Sequence, residues 1–203
     1  MISLGMDLLE LAQQGDRYAF EQLIRPHIAS IRRFAYAFAR DWDDADDLAQ
    51  EALIKAFRAL PSFEGRSSLT TWLYALTRNL CHDHYRGRLA KTRALEDPLD
   101  DAQLEPSESA EAWLEHKADV TRLWEAVKRL EPTFRAPLVL CDIEELSYEN
   151  VAQIEGVPIG TIRSRLSRAR ERLRRLLVDE PEPPLSGTKE HHLRSLPGGV
   201  KSP

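Results

Sequence analysis

Cysteine is scarce in this chain. Cys81 and Cys141 are the only two in 203 residues, and each sits alone inside an apolar run. That excludes a disulfide framework or a paired-cysteine zinc knuckle and fits a reducing compartment. Long apolar runs are missing as well: nothing approaches the ~20 residues a membrane-crossing helix needs. The opening Met-Ile-Ser-Leu-Gly-Met-Asp lacks the basic segment and apolar core of a secretory signal. These absences predict a cytoplasmic protein with no membrane insertion. Glycine is sparse too, with nine residues and no phosphate-cradling loop, dinucleotide fingerprint or nucleophile elbow. No catalytic residue, cofactor or metal is therefore expected, and an enzyme reading has little support. No segment alternates apolar and polar residues as a half-buried strand would.

What the chain does have is helical periodicity and an uneven spread of charge. A hydrophobic content of 42% allows one large domain or two small ones. The net charge of −5 conceals a neutral block, an acidic strip and a basic block. Residues 1–91 carry 12 basic and 12 acidic side chains, residues 92–121 carry 2 and 9, and residues 122–178 carry 11 and 8. The pattern predicts an all-α protein of two small helical domains, 1–91 and 110–178. A flexible acidic linker at 92–109 joins them, and a Pro-rich, disordered tail at 179–203 follows.

Within the first domain, Phe20, Leu23, Ile24, Ile28, Ile31, Phe34, Ala35 and Phe38 recur at helical steps. Asp41 and the acids after it predict the start of a helix that Pro61 stops. Its spacing turns Leu53, Phe57 and Leu60 inward and Asp44, Asp47, Glu51, Lys55 and Arg58 outward, with Leu48 and Ala52 within the charged face. A further helix is expected over 69–88. The second domain shows helical periodicity over 110–130, a shorter helix over 133–143, and then a helix-turn-helix. In that motif Ser147 caps the first helix, Gly156 lies in the turn, and Pro158 opens the second helix.

The second helix of the pair carries seven arginines between Arg163 and Arg175, against one acid, Glu171. On a helical wheel Ile162, Leu166, Ala169 and Leu173 share one sector, which must face the core. Ser164, Ser167, Arg168 and Glu171 lie opposite, with Arg163 and Arg170 on one flank and Arg165 and Arg172 on the other. A helix in a major groove needs this layout: central side chains reach base edges while flanking cations meet phosphates. The reading assigns DNA contact to Thr161, Arg163, Ser164, Arg165, Ser167, Arg168, Arg170 and Arg172. Among these, Arg163, Ser164 and Arg168 are the candidates for base reading, and Arg165, Arg170 and Arg172 for phosphates. A solvated arginine-rich surface helix is the plain alternative, but such helices usually mix signs in i,i+4 pairs.

Two stretches carry a family resemblance. Asp43-Asp-Ala-Asp-Asp-Leu-Ala-Gln-Glu-Ala-Leu-Ile-Lys-Ala-Phe57 with Phe63-Glu-Gly-Arg-Ser-Ser-Leu-Thr-Thr-Trp-Leu-Tyr-Ala-Leu-Thr-Arg-Asn-Leu80 resembles the N-terminal domain of bacterial extracytoplasmic-function sigma factors. Pro158-Ile-Gly-Thr-Ile-Arg-Ser-Arg-Leu-Ser-Arg-Ala-Arg170 resembles their C-terminal domain. The resemblance implies a subunit that binds core RNA polymerase, reads a −35 promoter element with its C-terminal domain and opens the −10 element with its N-terminal one. It implies contact with the polymerase β′ clamp helices through Asp47, Leu48, Gln50 and Glu51, with Leu48 an apolar residue ringed by carboxylates. The β flap and an anti-sigma protein are further implied partners.

The same resemblance implies a pocket for a base flipped from the displaced strand. Phe63, Ser67 and Asn79 would line it, with Arg66, Arg78 and Arg86 near phosphates. Asn79 has the paired donor and acceptor to read such a base. The family linker threads the polymerase's RNA path, so Asp97, Asp100, Asp101 and Glu105 are candidate mimics of nascent RNA. Two other readings stay open at this stage: a two-domain helix-turn-helix regulator that is not a polymerase subunit, and a protein-binding adaptor. Cys81-His-Asp-His84 superficially resembles a metal cluster, but on a helix its side chains diverge.

Overall fold

Asp16 and Asp41 open two helices of the N-terminal half by the same device. In the computed structural model, which describes residues 4–95 and 111–178 (side chains at 8–90 and 119–178), each carboxylate accepts a backbone N–H three residues on. Asp16 accepts from Ala19 at 3.0 Å and Asp41 from Asp44 at 2.8 Å. The helices of this half are α1 (Leu4–Gln13), α2 (Arg17–Ile24), α3 (Ile28–Tyr36), α4 (Trp42–Ala59) and α5 (Leu69–Leu95). No strand occurs among the described residues.

The run from Phe20 to Phe38 is broken, although its spacing predicts one helix. Pro26 has no N–H to donate, and Arg25–His27 tightens into a 3₁₀ turn between α2 and α3. The break leaves Ile28 39% exposed while Phe20, Ile24, Ile31 and Phe34 stay buried. The expected helical run begins at Phe20, yet the first fifteen residues hold α1. There α1 packs Leu8, Leu9 and Ala12 into the core with Ala19, Phe20 and Ile24 of α2. Helix α5 runs to Leu95, past the expected end at Arg88, so residues 92–95 of the expected linker are helical. The candidate RNA mimics Asp97, Asp100, Asp101 and Glu105 and the tail 179–203 lie outside the described residues.

The C-terminal half contains α6 (Glu111–Lys128), α7 (Pro132–Leu138), a wide π turn (Val139–Ile143), α8 (Tyr148–Glu155) and α9 (Ile159–Val178). Pro137, inside α7, cannot donate to the carbonyl one turn back. The turn that follows closes through the Glu144 N–H to the Val139 carbonyl at 2.9 Å, and Glu145 then takes a left-handed φ of 55°. Ser147 caps α8 by accepting from Asn150 N–H at 3.2 Å. Gly156 ends it at φ 66°, with Val157 N–H reaching back to the Ala152 carbonyl at 3.1 Å. Together these bonds form a Schellman motif, which fixes the corner before α9.

One core cluster lies within α1–α5; the other joins both halves, from Phe34, Phe38 and Tyr74 to Val127, Leu140 and Ile162. Arg135 of α7 pins this junction. Its buried guanidinium donates to the carbonyls of Ala37 (3.0 Å), Leu130 (2.6 Å) and Lys128, and stands 5.2 Å from the rings of Phe38 and Tyr85. Burial lowers its pKa to about 10. The carbonyls at the C-terminal ends of α3 and α6, which carry partial negative charge, stand in for the missing carboxylate.

Candidate nucleic-acid interface

Helix α9 turns as its wheel predicts. Ile162, Leu166 and Ala169 are buried and Leu173 packs against them, while Arg163, Ser164, Ser167, Arg168, Arg170 and Arg172 are exposed. Thr161 is half-buried in the first turn. The arginines then divide by their partners. Arg165 donates to Glu155 at 3.1 Å, and Arg170 grips Asp142 with both ends of its guanidinium, at 2.9 and 2.7 Å. Arg172 pairs with Glu131 at 3.1 Å and lies 4.2 Å over Phe134. Arg174 and Arg175 share Glu171. Arg163 and Arg168 meet no acid among the described residues, so their guanidinium groups stay unengaged on the outward face, while the exposed Ser164 hydroxyl donates to the Thr161 carbonyl at 2.9 Å. The hydrogen bonds that Arg170 donates to Asp142 raise its pKa further.

On α5 a second stripe runs from the half-buried Trp72, packed on the N-terminal core, to the exposed Asn79 and Arg86. Trp72, Asn79 and Arg86 follow one another at seven-residue steps, so they share a face and sit about 10 Å apart along the axis. Phe63 joins the stripe from the preceding loop, its ring 5.1 Å from that of Trp72. Ser67 sits in the loop and Ser68 caps α5, its hydroxyl accepting from Thr71 N–H at 3.1 Å. Asn79 is exposed, and its side-chain oxygen accepts from Arg78 at 3.0 Å. Arg66 pairs with Glu64, and Arg86 with Asp83 at 2.6 Å.

The outward face of α4 needs a correction. Asp47 and Glu51 are exposed as expected, and so is Gln50, but Leu48 is 4% and Ala52 2% exposed, inside the core, and the Asp44 side chain is largely covered, facing His84. The buried stripe is Ala45, Leu48, Ala49, Ala52 and Ala56, a small-residue seam along which neighbouring helices approach closely. Leu53 and Phe57, expected to form that stripe, flank it instead. The Cys81-His-Asp-His84 segment diverges: the Cys81 thiol is buried, His82 packs on Phe38, and His84 faces Asp44 at 3.2 Å.

Two buried carboxylates that periodicity does not reveal tie the halves together. Glu144 accepts from Arg33 at 2.6 and 2.7 Å and from the Tyr74 hydroxyl at 3.0 Å. Burial, and then the nearby Glu144 charge, pushes the Tyr74 phenol upward. Glu155 accepts from Arg78 of α5 and Arg165 of α9, each at 3.1 Å, with its side chain 1% exposed. An acid at the C-terminal end of a helix opposes the helix dipole, and a buried one cannot stand unpaired. That anomaly, an acid ending α8 just before Gly156, was the one signal in the sequence that could have pointed to Glu155.

Residues 23–90 match the family Sigma-70 region 2, and residues 121–173 match Sigma-70, region 4. The RNA polymerase sigma-H factor of Pseudomonas aeruginosa is 35% identical over 178 residues, covering 84% of this chain and 92% of that protein. The ECF RNA polymerase sigma factor SigM of Mycobacterium tuberculosis is 37% identical over 171 residues, covering 84% and 83%. Among solved structures, the sigma factor RpoE of Bartonella quintana, in complex with the anti-sigma factor NepR, superposes with a TM-score of 0.66 at 31% identity. That match covers 80% of this chain and 98% of the other. CnrH, solved with the cytosolic domain of CnrY, shares the fold at a TM-score of 0.66 and 23% identity, covering 88% of this chain and 100% of the other.

Proposed function

The chain belongs to the extracytoplasmic-function sigma factors of bacterial RNA polymerase, and we propose that it works as a promoter-specificity subunit in the cytoplasm. It binds the core enzyme, reads a −35 element with α8 and α9, and opens a −10 element with α4, α5 and the loop between them. The polymerisation chemistry belongs to the core enzyme, and this chain contributes no catalytic group. The observation that carries the reading is the outward row of Arg163, Ser164, Ser167 and Arg168 on the second helix of a well-capped helix-turn-helix.

In this reading Arg163, Ser164 and Arg168 meet base edges, with Thr161 and Ser167 beside them. Arg165, Arg170 and Arg172 exchange their acids for phosphates. On α5 the stripe from Phe63 and Trp72 to Asn79 and Arg86 gives a displaced strand an aromatic surface, an amide to read a flipped base, and cations for its backbone. Ser67, Arg66 and Arg78 border it. Asp47, Gln50 and Glu51 are the exposed acidic and amide groups for the β′ clamp helices, and the C-terminal half meets the β flap. An anti-sigma protein is a further partner, as for the solved relative from Bartonella.

The two elements differ in position by about 25 base pairs, which is about 85 Å of B-DNA at ~3.4 Å per step. Here Arg78 and Arg165, one from each proposed DNA surface, share a single carboxylate. The halves must therefore part before both elements are read at once, and the packed arrangement is the form without DNA.

Run-off transcription with core polymerase over a genomic promoter pool tests the assignment. Transcripts should share two upstream elements and vanish when this chain is omitted. Binding to DNA without any gain in transcription would return the chain to the class of stand-alone regulators.

A further inference from the structure

Helix α1 ends ten residues before the region-2 match begins, yet its last residue reaches the loop proposed to receive the flipped base. The Gln13 side-chain nitrogen donates to the Phe63 carbonyl at 2.8 Å and to the Leu60 carbonyl at 3.3 Å. Fifty residues of chain separate Gln13 from Phe63, so the contact is tertiary. The donor itself is well placed by its neighbours. Leu8, Leu9 and Ala12 anchor α1 in the core, and the turn after it is fixed by Gly15 at φ 95° and by the Asp16 cap on α2.

The loop is held at its other end too, where Ser68 caps α5. Between the two anchors the Phe63 ring rests on Trp72, and Gly65 takes a left-handed φ of 69°. The Leu60 carbonyl also receives the Phe63 N–H at 3.0 Å, so the amide of Gln13 closes a small network at the point where the loop leaves α4. Removing the donor leaves the Phe63 carbonyl to be satisfied by water, which loosens the entry to the loop but spares both core clusters.

We propose that Gln13 is a positioning residue for −10 recognition, holding the Phe63–Ser67 loop in the shape that receives the base. The proposal rests on the assignment of Phe63, Ser67 and Asn79 to the −10 element. Two variants separate the donor from mere bulk: Gln13→Glu keeps the shape but places acceptors against the carbonyls, whereas Gln13→Lys keeps a donor.

The full chain, assembled with core polymerase, is titrated with a fluorescent single-stranded oligonucleotide carrying the −10 element selected from the promoter pool. Versions with each of the four bases at the read position are compared. Gln13→Glu should weaken binding about tenfold, the usual scale for a lost hydrogen-bonding donor, and flatten the preference among the four bases. Gln13→Lys should bind within about twofold of the parent. Core-enzyme capture and −35 duplex binding should be unchanged in both. Parent-like base preference in Gln13→Glu overturns the proposal, as does an equal loss in Gln13→Lys. Phe63→Ala and Asn79→Ala serve as controls: if neither alters oligonucleotide binding, the −10 assignment itself fails and takes the role of Gln13 with it.

Discussion

Arg78 donates to Glu155 across 77 residues of sequence, joining the middle of α5 to the end of α8 through a carboxylate that water barely reaches. The other oxygen of Glu155 holds Arg165. One acid therefore braces the helix-turn-helix internally and fastens it to the N-terminal half.

Glu155→Ala should destabilise the free chain by about 2 kcal/mol, since charged hydrogen bonds to a buried group are lost and two guanidinium groups are left to solvent. A double-mutant cycle with Arg78→Met, followed by urea unfolding, should return a coupling of about 1 kcal/mol or more. A coupling near zero would mean that the two halves are not fastened here in solution.

On α9 the division of arginines by partner predicts different DNA phenotypes. Arg168→Ala should change which −35 sequences are preferred. Arg172→Ala should weaken all promoters alike and lower the slope of log affinity against log salt by about 1. Promoter-pool selection and salt titration of holoenzyme binding check the pair, and equal effects from both substitutions would undo the division.

Much of this was open to reading in the sequence, and what was not has a common cause. The Ser147 cap, the Gly156 corner and the buried side of α9 follow from local spacing, so periodicity and turn chemistry reach them. Glu155, Asp142 and Glu131 claim arginines that a wheel of α9 alone leaves free, because a wheel contains no other segment. Leu48 departs from its expected place for a related reason. Alanines at 45, 49, 52 and 56 carry little hydrophobic signal, yet they mark the buried face of α4, while the larger Leu53 and Phe57 dominate its helical wheel. Pro26 was visible as a residue, but the continuing apolar rhythm on both sides concealed the break it makes.

His82 makes the fold sensitive to acid. Its ring packs on Phe38, its Nε2 is buried without a hydrogen-bond partner among the described residues, and burial, with Arg78, Arg86 and Arg135 nearby, lowers its pKa to about 4. The unfolded chain takes up this proton near the ordinary value of 6.5, while the folded one refuses it until about 4. Stability from this group is therefore complete above pH 6.5 and declines as the pH falls toward 4. Thermal melting between pH 7 and 4.5 should show a shallower decline for His82→Gln than for the parent chain.

Glu145 sits at a φ of 55°, a conformation that costs a side-chain-bearing residue about 1 kcal/mol. Glu145→Gly should relieve most of that and raise the midpoint of urea unfolding. A fall in the midpoint would show that the side chain contributes something the strain conceals.

The aromatic seam between the halves has an optical consequence. Trp124 lies edge-on to Tyr36 at 5.3 Å, and Tyr36 in turn is stacked on Trp42 at 3.8 Å, under the Lys128 ammonium at 3.9 Å. Indole emission shifts to longer wavelength as the ring becomes hydrated, and parting the halves takes Trp124 from near-complete burial into water. The chain therefore carries an intrinsic gauge of its own separation, readable in a stopped-flow fluorimeter as core enzyme is added, with no dye attached and no residue changed.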